Sequence, residues 1–292
     1  MTTGTFDGVH LGHKKILKRL IENAREMGRE SVLLTFYPHP RIVLHPKDHG
    51  LKLLSTQEEK AELLKEMGLD HLIELPFSKE FASLSPREYV RKVLVEAIGI
   101  EKIIVGYDHR FGNHREGDYN KLLEYGEIYN FDVEQISALE LQEIKISSTK
   151  IRQALESGDV EKAAQFLGHT YAVKGTVVKG QSLGSKIGFP TANVLPEYDW
   201  KLIPGNGVYT VKCEVEGKII PGILNIGTRP TVNKDNKVVI EVHLLDWDGL
   251  IYDKKINIKF LYRIREEQKF DSIEDLVEQI NKDKAQALEQ LK

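Results

Sequence analysis

The chain has 292 residues, 41% of them hydrophobic and 29% charged, with a formal net charge of −3 at pH 7. That balance describes a globular protein long enough for two domains and excludes a global basic field for nucleic acid. No stretch approaches the ~18 apolar residues of a membrane span, and the single cysteine, Cys213, excludes an intramolecular disulfide framework or a cysteine-rich zinc site. The polar start does not read as a signal peptide, so a cytoplasmic protein is expected, with its oligomeric state left open.

In chain order, the first informative segment is MTTGTFDGVHLGH. His10, Gly12 and His13 form an H-x-G-H tetrad where a helix begins, since Ile16, Leu17, Leu20, Ile21 and Ala24 recur at helical spacing. A helix N-terminus offers unpaired N–H groups and partial positive charge. Two imidazoles one turn apart add donors, and Gly12 lets a ligand approach the backbone, so the tetrad reads as a phosphate site. The plainer reading is a capping glycine beside two surface histidines.

Strands and helices then alternate. Strands are predicted over 31–36, 71–75, 102–105 and 131–136, and helices over 57–67 (Thr56 as N-cap), from Pro86 to about Ala97, and over 118–129. This pattern predicts βαβ units around a parallel sheet, whose ligands sit outside the carboxyl ends of the strands. Three chemically loaded segments fall at such ends: the tetrad, Pro38-His39-Pro40, and the loop 106–117 with GYDHRFG and REGD. In that loop an Arg beside an aromatic ring suits a planar anionic ligand; solvated loop charges are the alternative.

A helical connector is predicted from Thr149 to Leu167. Its start, ISSTKIR, places Ser148 and Thr149 before Lys150 and Arg152; a basic first turn opposes the helix dipole and so favours an anionic ligand. Beyond it, alternating segments over 171–179, 207–215, 218–226, 238–245 and 255–262 predict a small antiparallel barrel, with Cys213 as a core thiol. A closing amphipathic helix, 272–291, starts with a Ser272/Asp275 capping box. Within the barrel half, GQSLGSKIGFPTAN carries glycines, among them Gly180 and Gly188, with Lys186 for a phosphate-covering loop. Thr191 and Asn193 are hard oxygen donors suited to Mg²⁺ on ATP, although a self-capped turn is the commoner use of such residues. Glu241, on the strand face shared by Val239 and His243, is a candidate general base or an ordinary strand carboxylate.

The pairing of H-x-G-H with ISSTKIR resembles the nucleotidylyltransferase superfamily. Together, GTFDGVHLGH, GYDHRFG, REGD, ISSTKIR, GFPTAN, NIGTRPT and the closing IEVHLLDWDGLIYDKKI…REEQKF resemble the prokaryotic bifunctional riboflavin kinase/FAD synthetase family, in family order across nearly the whole chain. The resemblance implies an α/β architecture: a Rossmann-like nucleotidylyltransferase domain over 1–168 that adenylylates FMN, then a riboflavin kinase barrel with a terminal helix over 169–292. Riboflavin, FMN and ATP would be the small-molecule substrates, with Mg²⁺ as cofactor and no nucleic acid or membrane partner.

Residue by residue, the resemblance implies that Gly4, Phe6, Asp7, Gly8, His10, Gly12, His13, Ser148, Thr149 and Arg152 bind nucleotide in the adenylylation site. His10, His13 and Arg152 would be catalytic there, and Asp108, Arg110 and Phe111 would lie on the flavin side. In the kinase, Gly180, Lys186 and Gly188 would cover the phosphates, Thr191 and Asn193 would hold Mg²⁺-ATP, Glu241 would be the base, and Arg265 and Phe270 would contact flavin.

The chain departs from the family in two respects. The family carries an apolar run before GTFDG, and here only three residues precede Gly4, so the first strand is expected to be truncated. His109, Asn113, His114 and Asp253 are also unusual for their motifs. The alternatives are a kinase whose α/β half is impaired by that missing strand, a non-catalytic flavin- or nucleotide-binding module, and a cytidylyltransferase. The last shares H-x-G-H but not GFPTAN.

Overall fold

The computed structural model describes residues 1–46, 50–137, 140, 146–179, 184, 187–230 and 236–292. The chain divides into two compact units, Met1–Ser148 and Thr149–Lys292. The connector therefore groups by contact with the second unit.

In the first unit the strands are β1 (Thr2–Thr3), β2 (Val32–Tyr37), β3 (His71–Pro76), β4 (Lys102–Gly106) and β5 (Asp132–Ile136). β1 pairs in parallel with β2, β2 with β3, and β4 with β5. Met1 closes the gap between the two parts: its nitrogen donates to the Lys102 carbonyl at 2.6 Å, and the Ile104 N–H donates to the Met1 carbonyl at 2.9 Å. The strands thus run in the order β3-β2-β1-β4-β5. Residues 1–3 occupy the central position of the sheet.

Helices cover both faces of this sheet because neighbouring strand residues point to opposite sides. Leu33 and Ile104 pack with Leu17 and Leu20 of α1 (Leu11–Glu26). Leu64 of α3 (Gln57–Glu66), which follows the short α2 (Pro40–Leu44), joins that layer. Leu34, Ile103 and Val105 face the other layer. There, beyond the single turn α4 (Lys79–Ala82), the helix entered at α5 (Pro86–Glu88) continues in wider π-helical turns over Tyr89–Ile98 and packs beside α6 (Tyr119–Tyr129). The ends follow local chemistry: reciprocal capping boxes at Thr56/Glu59 and Ser85/Glu88, a proline at the first position of α5, and left-handed Gly99 and Asn130 at C-termini.

The second unit opens with α7 (Ser148–Glu156, whose first residue closes the first unit) and α8 (Val160–Leu167). A closed six-stranded barrel follows: β6 (Ala172–Val178), β7 (Ala192–Pro196), β8 (Gly207–Val215), β9 (Lys218–Pro230), β10 (Asn236–Leu244) and β11 (Lys255–Arg265), in the order β10-β7-β6-β11-β8-β9. β7 is the strand that periodicity does not reveal, being short and following Gly188-Phe189-Pro190. Val177, Val211, Cys213, Leu224, Val242 and Phe260 fill the interior, and burial pushes the Cys213 thiol up to about 12, as suits a core thiol. The terminal helix α9 (Ile273–Gln290), capped by Ser272, covers part of the outer face, where Ala287 packs with Val208, Ile223 and Leu245.

Candidate active sites

The strand order of the first unit reverses between β1 and β4, and in open parallel sheets ligands bind outside the strand ends at such a point. The loops that leave these two strands are the ones singled out by sequence: 4–10 and 107–118.

The loop after β1 is held in a strained form. Phe6 and Val9 have φ of 45° and 39°, left-handed values that cost a non-glycine residue roughly 1–3 kcal/mol each. Gly4 N–H donates to the Leu34 carbonyl at 3.0 Å. The buried Asp7 carboxylate accepts from the Leu54 and Ser55 N–H groups at 2.9 and 3.2 Å, and Gly8 N–H donates to Ser55 Oγ at 3.0 Å. Ser148 Oγ donates to the Asp7 carbonyl at 3.3 Å. Asp7 and Ser148 thus meet at the loop, with Asp7 fastening it rather than facing solvent.

His10 caps α1, its Nδ1 accepting from His13 N–H at 3.3 Å, which leaves Nε2 as the protonated ring nitrogen of the neutral tautomer. The His10 and His13 rings stack with centroids 3.6 Å apart and an interplanar angle of 15°, and Phe6 lies 4.7 Å from the His13 ring. Burial, then the His10 and Lys60 charges, hold the His13 imidazole well below its ordinary range, so it is neutral at pH 7. Its Nδ1 has no hydrogen-bond partner among the described residues. Gly12 lies beside the His10 ring, where a Cβ would come within 3.2 Å.

In the loop after β4, Asp108 and Arg110 are exposed, and Arg110 pairs with Asp118 at 3.2 Å. Phe111 turns inward: it is buried against Tyr89, with ring centroids 5.7 Å apart, and packs over Gly117. It anchors the loop, and the exposed aromatic ring here is Tyr107. Thr149 is exposed and Arg152 half-buried on α7 in the second unit. His39 of the Pro-His-Pro segment caps α2 through Arg41 N–H at 3.1 Å.

In the second unit a cavity of about 350 Å³ lies on the outer face of the barrel against α9. Its floor is set by register. Glu241 on β10 stands opposite Asn193 on β7 and opposite Asn225 on β9, so the three side chains share one face. Thr191, Asn225, Glu241 and His243 line the cavity. His243 Nδ1 bonds the Pro190 carbonyl at 2.8 Å, directly before Thr191, and meets the Phe189 ring edge-on at 5.5 Å.

The far wall is Arg265, Phe270 and Asp283. Arg265 makes a forked pair with the Asp283 carboxylate, with N···O distances of 2.8–3.1 Å, and its guanidinium lies 5.7 Å from the Phe270 ring centre. Gly188 is left-handed, with φ +84°. Gly180 and Lys186 lie outside the described residues.

Sequence reasoning missed Asn225, His243, Asp283 and Lys60. Asn225 and His243 sit inside quoted motifs, but their use depends on register. Asp283 and Lys60 carry one available signal: each is a charged residue four positions from an inward apolar one, Ala287 and Leu64.

The FAD synthetase family matches residues 1–150 and the riboflavin kinase family residues 167–291. A bifunctional riboflavin kinase/FMN adenylyltransferase of Pseudomonas fluorescens is 40% identical, covering 98% of this chain and 91% of its own. Its namesake from Escherichia coli K12 is 38% identical, covering 99% and 91%. Among solved structures, that of a protein from Streptococcus pneumoniae described as a macrolide-efflux protein is 32% identical, with a TM-score of 0.89 over 97% of this chain and 92% of that one. No helix among the described residues is long and apolar enough to cross a membrane.

Proposed function

The chain belongs to the bifunctional riboflavin kinase/FMN adenylyltransferase family, and on that premise we propose which residues carry its two reactions. It transfers the γ-phosphate of ATP to riboflavin, giving FMN, and AMP from a second ATP to FMN, giving FAD and pyrophosphate. Both halves are present, so the kinase-only reading, the pure binding module and the cytidylyltransferase are set aside. A cytoplasmic location fits the use of ATP in both steps.

Phosphorylation belongs to the barrel. Glu241 takes the proton from the ribityl hydroxyl as that oxygen attacks the γ-phosphorus in line. The observation that carries this reading is the register that sets Glu241 between Asn193 and Asn225, with Glu241 and Asn225 lining the cavity. Thr191 and Asn193 would hold the nucleotide's metal. Their donors fit Mg²⁺ that arrives on ATP: both are neutral oxygens, and among the described residues no group of three or more His, Cys, Asp or Glu could hold an ion unaided. Mg²⁺ held there would supply positive charge to offset that of the phosphates during transfer. Gly188 gives the covering loop its turn. Arg265 and Phe270 form the flavin wall.

Adenylylation belongs to the first unit. The FMN phosphate attacks the α-phosphorus of ATP, and no covalent nucleophile on the enzyme is required. His10 and His13 donate to phosphate oxygens as charge builds on them, and losing one such donor costs roughly 3 kcal/mol of barrier. A neutral His13 suits that task, because burial and a ring stacked 3.6 Å away disfavour a positive charge on it. Gly4, Phe6, Asp7 and Gly8 shape the loop that presents them, and Asp108 and Arg110 face the flavin side.

The test is Glu241→Gln with each reaction assayed separately. FMN formation from riboflavin is lost, while FAD formation from supplied FMN and riboflavin binding persist. FMN formation at the wild-type rate would remove Glu241 from its role.

A further inference from the structure

Among the buried titratable groups of the first unit, Lys60 has no part in the chemistry above. It is 5% exposed and lies on the inward face of α3. Its ammonium donates to the Thr5 carbonyl at 2.8 Å and to Thr35 Oγ1 at 3.4 Å, and Thr35 Oγ1 in turn donates to the Thr5 carbonyl at 3.3 Å. A buried cation is expensive unless it is partnered, and these partners lie on β2 and on the loop that ends in the H-x-G-H tetrad. The same end of α3 also fixes Asp7 and Gly8, through the Leu54 and Ser55 N–H groups and Ser55 Oγ.

We propose that Lys60 is a positioning residue for FMN adenylylation: it clamps the Thr5 carbonyl and thereby holds the strained Phe6–Val9 turn that presents His10 and His13. The inference rests on the assignment of adenylylation to this unit. Two left-handed non-glycine residues persist only where their surroundings over-determine them, and Lys60 supplies the constraint on the N-terminal side of the turn. Asp7 and Glu74 are the acidic groups that offset the cost of its burial, and burial is the larger influence on its own titration. A neutral side chain of the same length fills the space but cannot donate to Thr5. An arginine can.

The experiment compares Lys60→Met and Lys60→Arg in the full chain, reading FAD formation from FMN and FMN formation from riboflavin. Lys60→Met lowers kcat for FAD formation by roughly 100-fold, the scale of a 1 Å misplacement of catalytic groups, with KM for ATP little changed. Lys60→Arg recovers most of that loss. FMN formation, carried by the other unit, is unchanged in both, and an unchanged KM for ATP in FAD formation reports that the first unit is folded. Wild-type kcat in Lys60→Met overturns the proposal, and so does equal damage in the two variants. Should Lys60→Met fail to fold, Lys60→Gln, whose shorter side chain withdraws the donor from Thr5, decides: a lowered kcat for FAD formation alone upholds the clamp, and an unchanged kcat overturns it. A wild-type chain that makes FMN but no FAD would overturn the adenylylation assignment itself, and this proposal with it.

Discussion

Glu241 and Asn193 face each other across the β10–β7 ladder. The proposed base and a proposed metal ligand are therefore fixed to one another by backbone hydrogen bonds, not by a flexible loop. Asn193→Ala should lower kcat/KM for riboflavin phosphorylation by roughly tenfold or more, a loss of at least ~1.4 kcal/mol of transition-state stabilisation. FAD formation from FMN should be unaffected. Steady-state assays of both reactions on one preparation check this, and equal losses in the two would sink it.

Asp283 and Arg265 form a forked ion pair with side-chain exposures of 3% and 16%. Removing one partner leaves the other charge buried, so Asp283→Ala should destabilise the second unit by about 3–5 kcal/mol. An Arg265→Met/Asp283→Leu double variant should recover much of that stability, because apolar replacements of similar size often restore a buried pair's contribution. It should still bind riboflavin weakly, having lost the wall beside Phe270. Urea midpoints and riboflavin titrations separate the two effects.

Acid should destabilise the first unit. Burial lowers the His109 imidazole to about 4 and holds His13 well below 6.5. In the unfolded chain both take up protons near pH 6.5, so the folded state loses stability as pH falls below that value. For His109 the loss is complete near pH 4 and amounts to about 3 kcal/mol. Unfolding midpoints of the wild type should drop between pH 7 and 5, and the drop should shrink in His109→Gln. An identical pH response in the variant would refute this account.

Gly112→Ala should impair FAD formation. Gly112 has φ +71°, and a Cβ there would lie 2.8 Å from the Pro86 backbone, which cannot give way like a side-chain tip. The loop carrying Asp108 and Arg110 must shift. We expect a raised KM for FMN, little change in FMN formation, and destabilisation of about 1–3 kcal/mol. Kinetics with FMN as the varied substrate test the first part and thermal melts the second.

The alternation of buried and exposed positions in β6, the helical stripe Leu17-Leu20-Ile21-Ala24 and the caps at Thr56 and Ser272 were legible in the sequence, because each depends on residues a few positions apart. So were the motifs, since their residue types carry their chemistry. Other features required the folded chain. Phe111 belongs to a motif yet points into the core. β7 is a strand only because β6 and β10 flank it. Residues 1–3 sit centrally because they hydrogen-bond β2 on one side and β4 on the other. Lys60 meets the Thr5 carbonyl across 55 positions, a distance in sequence that no local pattern spans. Local periodicity is set by the geometry of the backbone itself, so the sequence alone determined most of the elements, and its motifs, through the family they resemble, pointed to the two chemistries. Register and long-range burial arise only when distant segments exclude water from one another, so tertiary structure decided which polar groups meet: Glu241 with Asn193, Arg265 with Asp283, and Lys60 with the loop of the histidines.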